Sequence, residues 1–420
     1  MNTELPRGQR WVVLVAGFLG WAFAGQGIAL YILIHRQLVG AMVVSPDEAT
    51  ITRWFAWFQA AFLFGAALGG AAFGWLGDRY GRVRSLGSAV LTTALFTLLA
   101  TFATSLEQHL VLRFLASAGI GGTWPGAVAL VSEAWPASSK PLLAGLLGAA
   151  ANFGFVWLGA IAYFVMPVTA DTWRAMLLVG AVPALLGLAI LALVPESPGW
   201  RAAMQEQPTK TADPLGELFR PPLLMVTLLG IGLGAVPVIG TAANANWVVP
   251  WTDRVAQETA TRTGIPRARD DKALTLMTRS SGAIIGCFCG GLLASAVGRR
   301  LSYFLISLGA GVLSTVLFGW LDPTHPWFQP TLFVFGLVGV MYFGWLPLFL
   351  PELFPTRVRA TGGGVSFNSG RIVAGVVVLS TGLLVALVGG DYARIGVWSG
   401  LIYVMGMAII WFAPEPEGKR

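Results

Sequence analysis

Apolar residues run along this chain in twelve stretches, each long enough to cross a bilayer's hydrocarbon core, which takes about 20 helical residues. Read between flanking charges and Pro/Gly/Asp turns, they cover approximately residues 10–35, 54–77, 86–105, 109–134, 141–168, 174–194, 221–249, 273–297, 302–320, 328–353, 361–389 and 394–413. They lack the alternation over about ten residues that strands of a membrane barrel show. The pattern predicts an all-α membrane protein of twelve transmembrane helices. Two polar stretches exceed turn length: 201–220 at the midpoint, and 251–272, rich in both charge signs. The first run is too long for the apolar segment of a signal peptide and lacks a small-residue cleavage site, so it is expected to remain as a helix.

Composition agrees with this reading. Of 420 residues, 55% are hydrophobic and 11% charged, with a mean hydropathy of +0.71; a soluble domain carries about 25% charged residues. The net charge of +7 raises the question of a nucleic-acid partner. Phosphate binding needs Lys/Arg clustered on a solvated face, and no such cluster occurs. The basic residues sort by membrane side instead. With the N-terminus inside, fifteen lie in cytoplasmic segments (Arg7, Arg10, Arg79, Arg82, Arg84, Lys140, Arg201, Lys210, Arg220, Arg299, Arg300, Arg357, Arg359, Lys419, Arg420) and nine outside. Both termini are therefore expected in the cytoplasm, with the chain a monomer among the lipids of the plasma (inner) membrane. Cys287 and Cys289 exclude a disulfide framework and a Cys-based zinc site; about 200° apart on a helix, they read as packing residues. There is no Gly-x-x-x-x-Gly-Lys-[Ser/Thr] loop and no mid-span His, Asp or Glu. Neither ATP-driven pumping nor an enzyme is indicated, and no cofactor or metal is expected.

The chain also repeats itself. Gly65, Gly69, Gly74 and Gly81 recur as Gly282, Gly286, Gly291 and Gly298, each shifted by 217. Glu133-Ala-Trp-Pro136 recurs as Glu352-Leu-Phe-Pro355, Asp171/Arg174 as Asp391/Arg394, and Pro195-Glu196 as Pro414-Glu415, at shifts of 219 to 220. The series predicts two six-helix halves in parallel repeat, residues 1–200 and 221–420, joined by a cytoplasmic linker at 201–220. Repeated halves around a midplane site are a transporter architecture.

Gly74-Trp-Leu-Gly-Asp78-Arg79-Tyr-Gly81-Arg82-Val-Arg84 resembles the signature loop between helices two and three of the major facilitator superfamily. Arg113-Phe-Leu-Ala-Ser-Ala-Gly119-Ile-Gly121 is similar to its fourth-helix motif. Pro195-Glu-Ser-Pro-Gly-Trp200 resembles the motif closing the first half of sugar porters. Pro351-Glu-Leu-Phe-Pro-Thr-Arg-Val-Arg-Ala-Thr-Gly362 resembles a stretch of the metabolite symporters for sialate, aromatic acids and monocarboxylates, and of organic-ion transporters. The resemblance covers the whole chain. It implies a gating role for Asp78, Arg79, Arg82, Glu133, Glu352, Arg357 and Arg359, whose charges would bridge the halves at the cytoplasmic end; otherwise they are positive-inside topogenic charges. It also implies acidic residues in helices one and four, where this chain has Ala24, Gly27 and Thr123. That points toward uniport, anion exchange or coupling through the solute's own carboxylate.

Three arginines stand inside spans, where an ionisable residue is a functional hypothesis by default. Arg113 and Arg279 lie under 10 Å from a span end, by about 1.5 Å per residue, and are expected within snorkelling reach of the interface. Arg371 lies about 15 Å deep on the same measure. With no carboxylate deep in any span, a bound anion would supply the missing counter-ion. Asn152 is the repeat counterpart of Arg371, and Gln26 maps by 219 onto Ala245, between Asn244 and Asn246. These amides, with Asn368, Trp124 and the three arginines, form the expected solute site; the bland alternatives are interhelical hydrogen bonding and core packing. The expected solute is a small organic anion, a carboxylate, moved by alternating access; a sugar or neutral metabolite is the alternative. Pro125, Pro183, Pro237 and Pro347 are candidate bending points.

Overall fold

Inside hydrocarbon an unpaired backbone N–H or C=O costs several kcal/mol, so each apolar run closes its hydrogen bonds internally. The computed structural model describes residues 5–135, 140–201, 214–264, 271–354, 359–387 and 391–414. The first half holds α1 (Arg7–Met42), α2 (Glu48–Tyr80), α3 (Arg82–Ala100), α4 (Leu106–Ala134), α5 (Lys140–Ala160) and α6 (Trp173–Leu193). The second holds α7 (Leu223–Thr263), α8 (Asp271–Val297), α9 (Arg299–Gly319), α10 (Phe328–Phe349), α11 (Arg359–Leu387) and α12 (Tyr392–Phe412). All twelve are apolar and long enough to span. Where turns are tight, side chains cap the orphan amides: Asp47 accepts from the Thr50 N–H at the start of α2, and Ser105 from the Gln108 N–H at the start of α4.

The repeat in the sequence is a repeat in packing. A Cβ on Gly65 or Gly69 of α2 would collide with the Phe114 or Ala118 carbonyl of α4; one on Gly282 or Gly286 of α8 would collide with the Phe333 or Leu337 carbonyl of α10. Small residues thus let backbones touch at the same place in each half. The turns after α2 and α8 likewise both rest on a glycine at positive φ, Gly81 at 118° and Gly298 at 86°. The halves meet along two seams, α2 against α11 and α5 against α8. In the first, Phe64 fills the space beside Gly375; in the second, Phe288 lies over Gly145.

The prolines interrupt helices unequally. Pro125 lies within an unbroken α4, whereas α6 is divided at Val182, just before Pro183. In α7, Pro237 removes the donor for the Leu233 carbonyl, which accepts instead from the Tyr303 hydroxyl at 2.9 Å. Beyond it, α7 passes through a π turn (Gly240–Asn244) and a 3₁₀ turn (Ala245–Trp247) before resuming as Val248–Thr263.

Over 251–263 that last segment corrects the expectation of a polar stretch outside the spans: it is helix continuous with α7. The helix runs to Thr263 and ends at Gly264, in the left-handed region. Two charges of the polar stretch are held inside the protein: Asp253 is fully buried against Arg36 of α1, and buried Lys272, in α8, donates to Gln37 Oε1 at 2.8 Å. A hydropathy window cannot distinguish charges that meet partners from charges that meet water.

The glycine contacts yield a paired test. Gly69→Val should destabilise the fold by at least about 1–3 kcal/mol, the usual range for overpacking, because the Ala118 carbonyl cannot move aside. Gly74→Val, on the same helix with nothing within 4 Å, should leave thermal unfolding of the detergent-solubilised protein unchanged.

Candidate solute-binding cavity

Between the halves lies a cavity of about 140 Å³. The first half presents an aromatic wall to it: Trp21 of α1, Phe62 of α2, Trp124 of α4 and Phe155 of α5, with the two indole centroids 5.0 Å apart. The second half presents Arg279 of α8, Arg371 of α11, Asn246 of α7 and Tyr403 of α12. No carboxylate is among the described residues lining it.

Both arginines are buried, Arg279 at 6% exposure and Arg371 at 5%. Arg279 Nη1 donates to Asn246 Oδ1 at 2.8 Å, and its guanidinium carbon sits 5.8 Å from the Phe155 ring centroid. Arg371 has a long contact to the Ala66 carbonyl, 3.4 Å from Nη1, and lies 5.0 Å from the Phe367 centroid. Among the described residues neither meets a carboxylate. Two positive charges in a low-dielectric cavity, partnered only by an amide, a carbonyl and ring faces, leave donors directed at whatever occupies it.

Arg113 is differently placed. It is 2% exposed, away from the cavity lining, with Nη1 donating to the Gly27 carbonyl at 2.7 Å and Nη2 to that of Ile28 at 3.4 Å. Its guanidinium lies over the rings of Tyr31 and Phe62, at 4.6 and 5.2 Å. It does not snorkel, because α1 supplies two carbonyls and a ring face and α2 a second ring face where the interface would have supplied water. Arg279 stays buried for the analogous reason.

The amides divide in the same way. Gln26 Nε2 donates to the Val179 carbonyl, tying α1 to α6 at 2.8 Å. Asn244 Nδ2 reaches the Gly396 carbonyl (2.7 Å) and Ser399 Oγ (3.0 Å), tying α7 to α12. Gln26 and Asn244 are 218 apart and Val179 and Ser399 are 220 apart, so one staple is built twice. Neither amide lines the cavity, whereas Asn246 and Asn152 do. Asn152 Nδ2 lies 3.9 Å from Cys287 Sγ across the α5–α8 seam. Asn368 donates to the Gly364 carbonyl at 3.0 Å and packs on Gly70 of α2, outside the lining.

At the end carrying the termini, Arg82 Nε pairs with Glu133 Oε1 at 3.4 Å, and Glu133 accepts from the Ser197 hydroxyl. Glu196 takes the Arg82 N–H at 2.9 Å and the Val83 N–H at 3.2 Å, a carboxylate at the N-terminus of α3. Arg79 is exposed, with its guanidinium 5.3 Å from the Trp75 ring centroid. Arg357 lies outside the described residues, as do the side chains of Asp78, Glu352 and Arg359.

One polar network escaped the sequence reading. At the opposite end of the bundle, Arg36 Nε contacts Asp253 Oδ2 at 2.5 Å, while its Nη1 and Nη2 donate to Glu48 at 2.9 and 2.7 Å. The Tyr392 hydroxyl donates to Glu48 at 3.0 Å. The signal was available in the repeat: Arg36 and Asp253 are 217 apart, the glycine offset.

Comparison with known proteins agrees with this architecture. A family model described as Major Facilitator Superfamily matches residues 44–379. The cis,cis-muconate transport protein of Acinetobacter baylyi is 26% identical over 364 residues, 84% of each chain. The 4-hydroxybenzoate transporter of Pseudomonas putida is 38% identical over 140 residues, 33% of this chain and 31% of that one. The xylose transporter of Escherichia coli, in a partially occluded inward-open conformation, superposes with a TM-score of 0.75 at 17% identity, covering 98% of this chain and all of that one, a likeness of fold. By its twelve helices, its doubled packing and this family match, the chain belongs to the major facilitator superfamily of membrane transporters.

Proposed function

We propose that the chain carries a small organic anion, a carboxylate on a flat apolar body, across the plasma membrane by alternating access. The observation that carries this reading is the pair of buried guanidiniums, Arg279 and Arg371, on one cavity with no carboxylate among the described residues to neutralise them. A bound carboxylate supplies the counter-charge, and the wall of Trp21, Trp124, Phe62 and Phe155 offers ring faces for the rest of the solute. The muconate and 4-hydroxybenzoate transporters named above handle solutes of this chemistry. Asn246 and Asn152 complete the polar set, with Trp124 on the facing wall.

The termini are assigned to the cytoplasmic side, on the sorting of basic residues. The linker at 201–220 then separates two rocking halves, 1–200 and 221–420, in a monomer. On this reading Asp78, Arg79, Arg82, Glu133, Glu352, Arg357 and Arg359 serve the inner gate, and the Arg82–Glu133 contact supports the part taken by the first half. Arg113, Gln26, Asn244 and Asn368 act as structural supports of the site.

Uptake of labelled 4-hydroxybenzoate and cis,cis-muconate into proteoliposomes tests the proposal. At least one should accumulate in counterflow. Arg371→Gln and Arg279→Gln should each weaken its binding by roughly 10–150-fold, the range for losing a charged hydrogen bond of about 1.5–3 kcal/mol. Counterflow of xylose alone, undiminished in both variants, would overturn the anion reading in favour of a neutral solute. Arg113→Gln should behave differently. It should lower stability by about 1–3 kcal/mol, seen in thermal unfolding, while the folded fraction binds solute with wild-type affinity.

A further inference from the structure

Three buried polar groups stand just beyond the cavity, on the side remote from the termini. Gln59 of α2 is 2% exposed, and neither its Oε1 nor its Nε2 has a partner among the described residues. Thr275 of α8 and Trp247 of α7 have no exposure, and Thr275 Oγ1 and Trp247 Nε1 are likewise unpartnered. Buried polar atoms are seldom left this way, because the desolvation of each goes uncompensated. Gln59 is the extreme case, with an acceptor and a donor both unanswered.

Helix spacing sets these groups against the cavity. Residues four or seven apart share a helix face. Gln59 stands four before Leu63 and seven before Ala66, and Thr275 four before Arg279; Leu63 and Arg279 line the cavity. Trp247 follows Asn246, another lining residue, and its ring lies 5.1 Å from that of Phe55, one turn from Gln59. Because α2 and α8 begin at the remote end and α7 finishes there, all three displacements run the same way.

One side of α2 is therefore graded. Arg371 reaches the Ala66 carbonyl at 3.4 Å, Phe62 and Leu63 present apolar surface to the cavity a turn further on, and Gln59 follows a turn beyond. At about 1.5 Å per residue the amide is about 10 Å along the helix from the level of Ala66. A carboxylate on the arginine, a ring beside Phe62 and Leu63, and a polar substituent at the far end of the ring match that order. Gln59 Oε1 accepts, its Nε2 and Trp247 Nε1 donate, and a hydroxyl does both. A hydroxyl can thus answer the amide on either side. A second carboxylate only accepts, and the cation next along α8, Lys272, already donates to Gln37 at 2.8 Å. Its charge would be buried at a cost that a hydroxyl avoids.

We infer that Gln59, flanked by Thr275 and Trp247, is a specificity collar that reads a hydroxyl at the end of the solute opposite its carboxylate. The favoured solute class is a para-hydroxylated aromatic monocarboxylate. This rests on the carboxylate reading above and names its substrate more closely. Calorimetric titration of the purified protein with benzoate, 3-hydroxybenzoate and 4-hydroxybenzoate tests it. The wild type should bind 4-hydroxybenzoate roughly tenfold more tightly than either of the others, as one or two neutral hydrogen bonds allow. Gln59→Met keeps the length of the side chain and removes the amide; it should bind benzoate and 4-hydroxybenzoate about equally. Without solute it should unfold at a temperature no lower than the wild type, because no hydrogen bond within the protein is lost. A marked loss of stability would assign the amide to the frame and overturn the collar. Equal affinities for the three solutes in the wild type, or an undiminished preference in Gln59→Met, would overturn the collar alone and leave the carboxylate reading standing. Failure of all three to bind would overturn the carboxylate reading and the collar with it.

Discussion

A polar group inside the hydrocarbon region must find its partner within the protein, since water is not there to supply one. Much of this structure follows from that constraint. It explains why the carbonyl freed by Pro237 receives the Tyr303 hydroxyl, and why Gln26 and Asn244 each tie the first helix of a half to its last. It explains why Arg113 lies on α1 carbonyls and two rings instead of reaching for the interface. A residue that meets the rule by reaching a neighbouring helix is part of the frame, even where one buried atom, such as Arg113 Nε or Gln26 Oε1, has no partner among the described residues. Arg279 and Arg371 meet it only partly, and they do so on a shared cavity.

The doubled architecture sharpens the same distinction. Positions that keep one role in both halves are packing positions: Gly65 with Gly282, Gly69 with Gly286, Gln26 with Asn244. Positions whose counterparts differ face the cavity or the seam. Arg371 stands opposite Asn152, Arg279 corresponds to Phe62 at the 217 offset, and Arg36 corresponds to Asp253. The cavity is therefore aromatic from both halves, with Phe335, Phe343, Phe367 and Tyr403 on the second, and cationic from the second alone. Two like halves supply a rocking frame; the chemistry sits where they are unlike.

The helices, the repeat and the superfamily were legible from hydropathy and spacing, because a membrane span is a long one-dimensional signal. The depth of Arg371 was legible for the same reason, being a count along a helix. Which arginine opens on the cavity was not, because Arg113 and Arg279 are equally deep and differ only in what the neighbouring helix offers them. Gln26 and Asn244 looked like site amides for want of their partners, Val179 and Ser399, more than 150 residues away. Asp253 and Lys272 read as charges of a polar stretch because their burial depends on Arg36 and Gln37 of the other half. The 217-residue offset that relates the glycines also sets Arg36 against Asp253.

The most direct test of the anion reading is a pair of titrations by calorimetry on the purified protein, with benzoate and with benzamide. The two share a ring and nearly a shape and differ in charge. Binding of benzoate with no detectable heat from benzamide is the predicted result, because only the carboxylate answers the two guanidiniums. Equal affinity for both would contradict it.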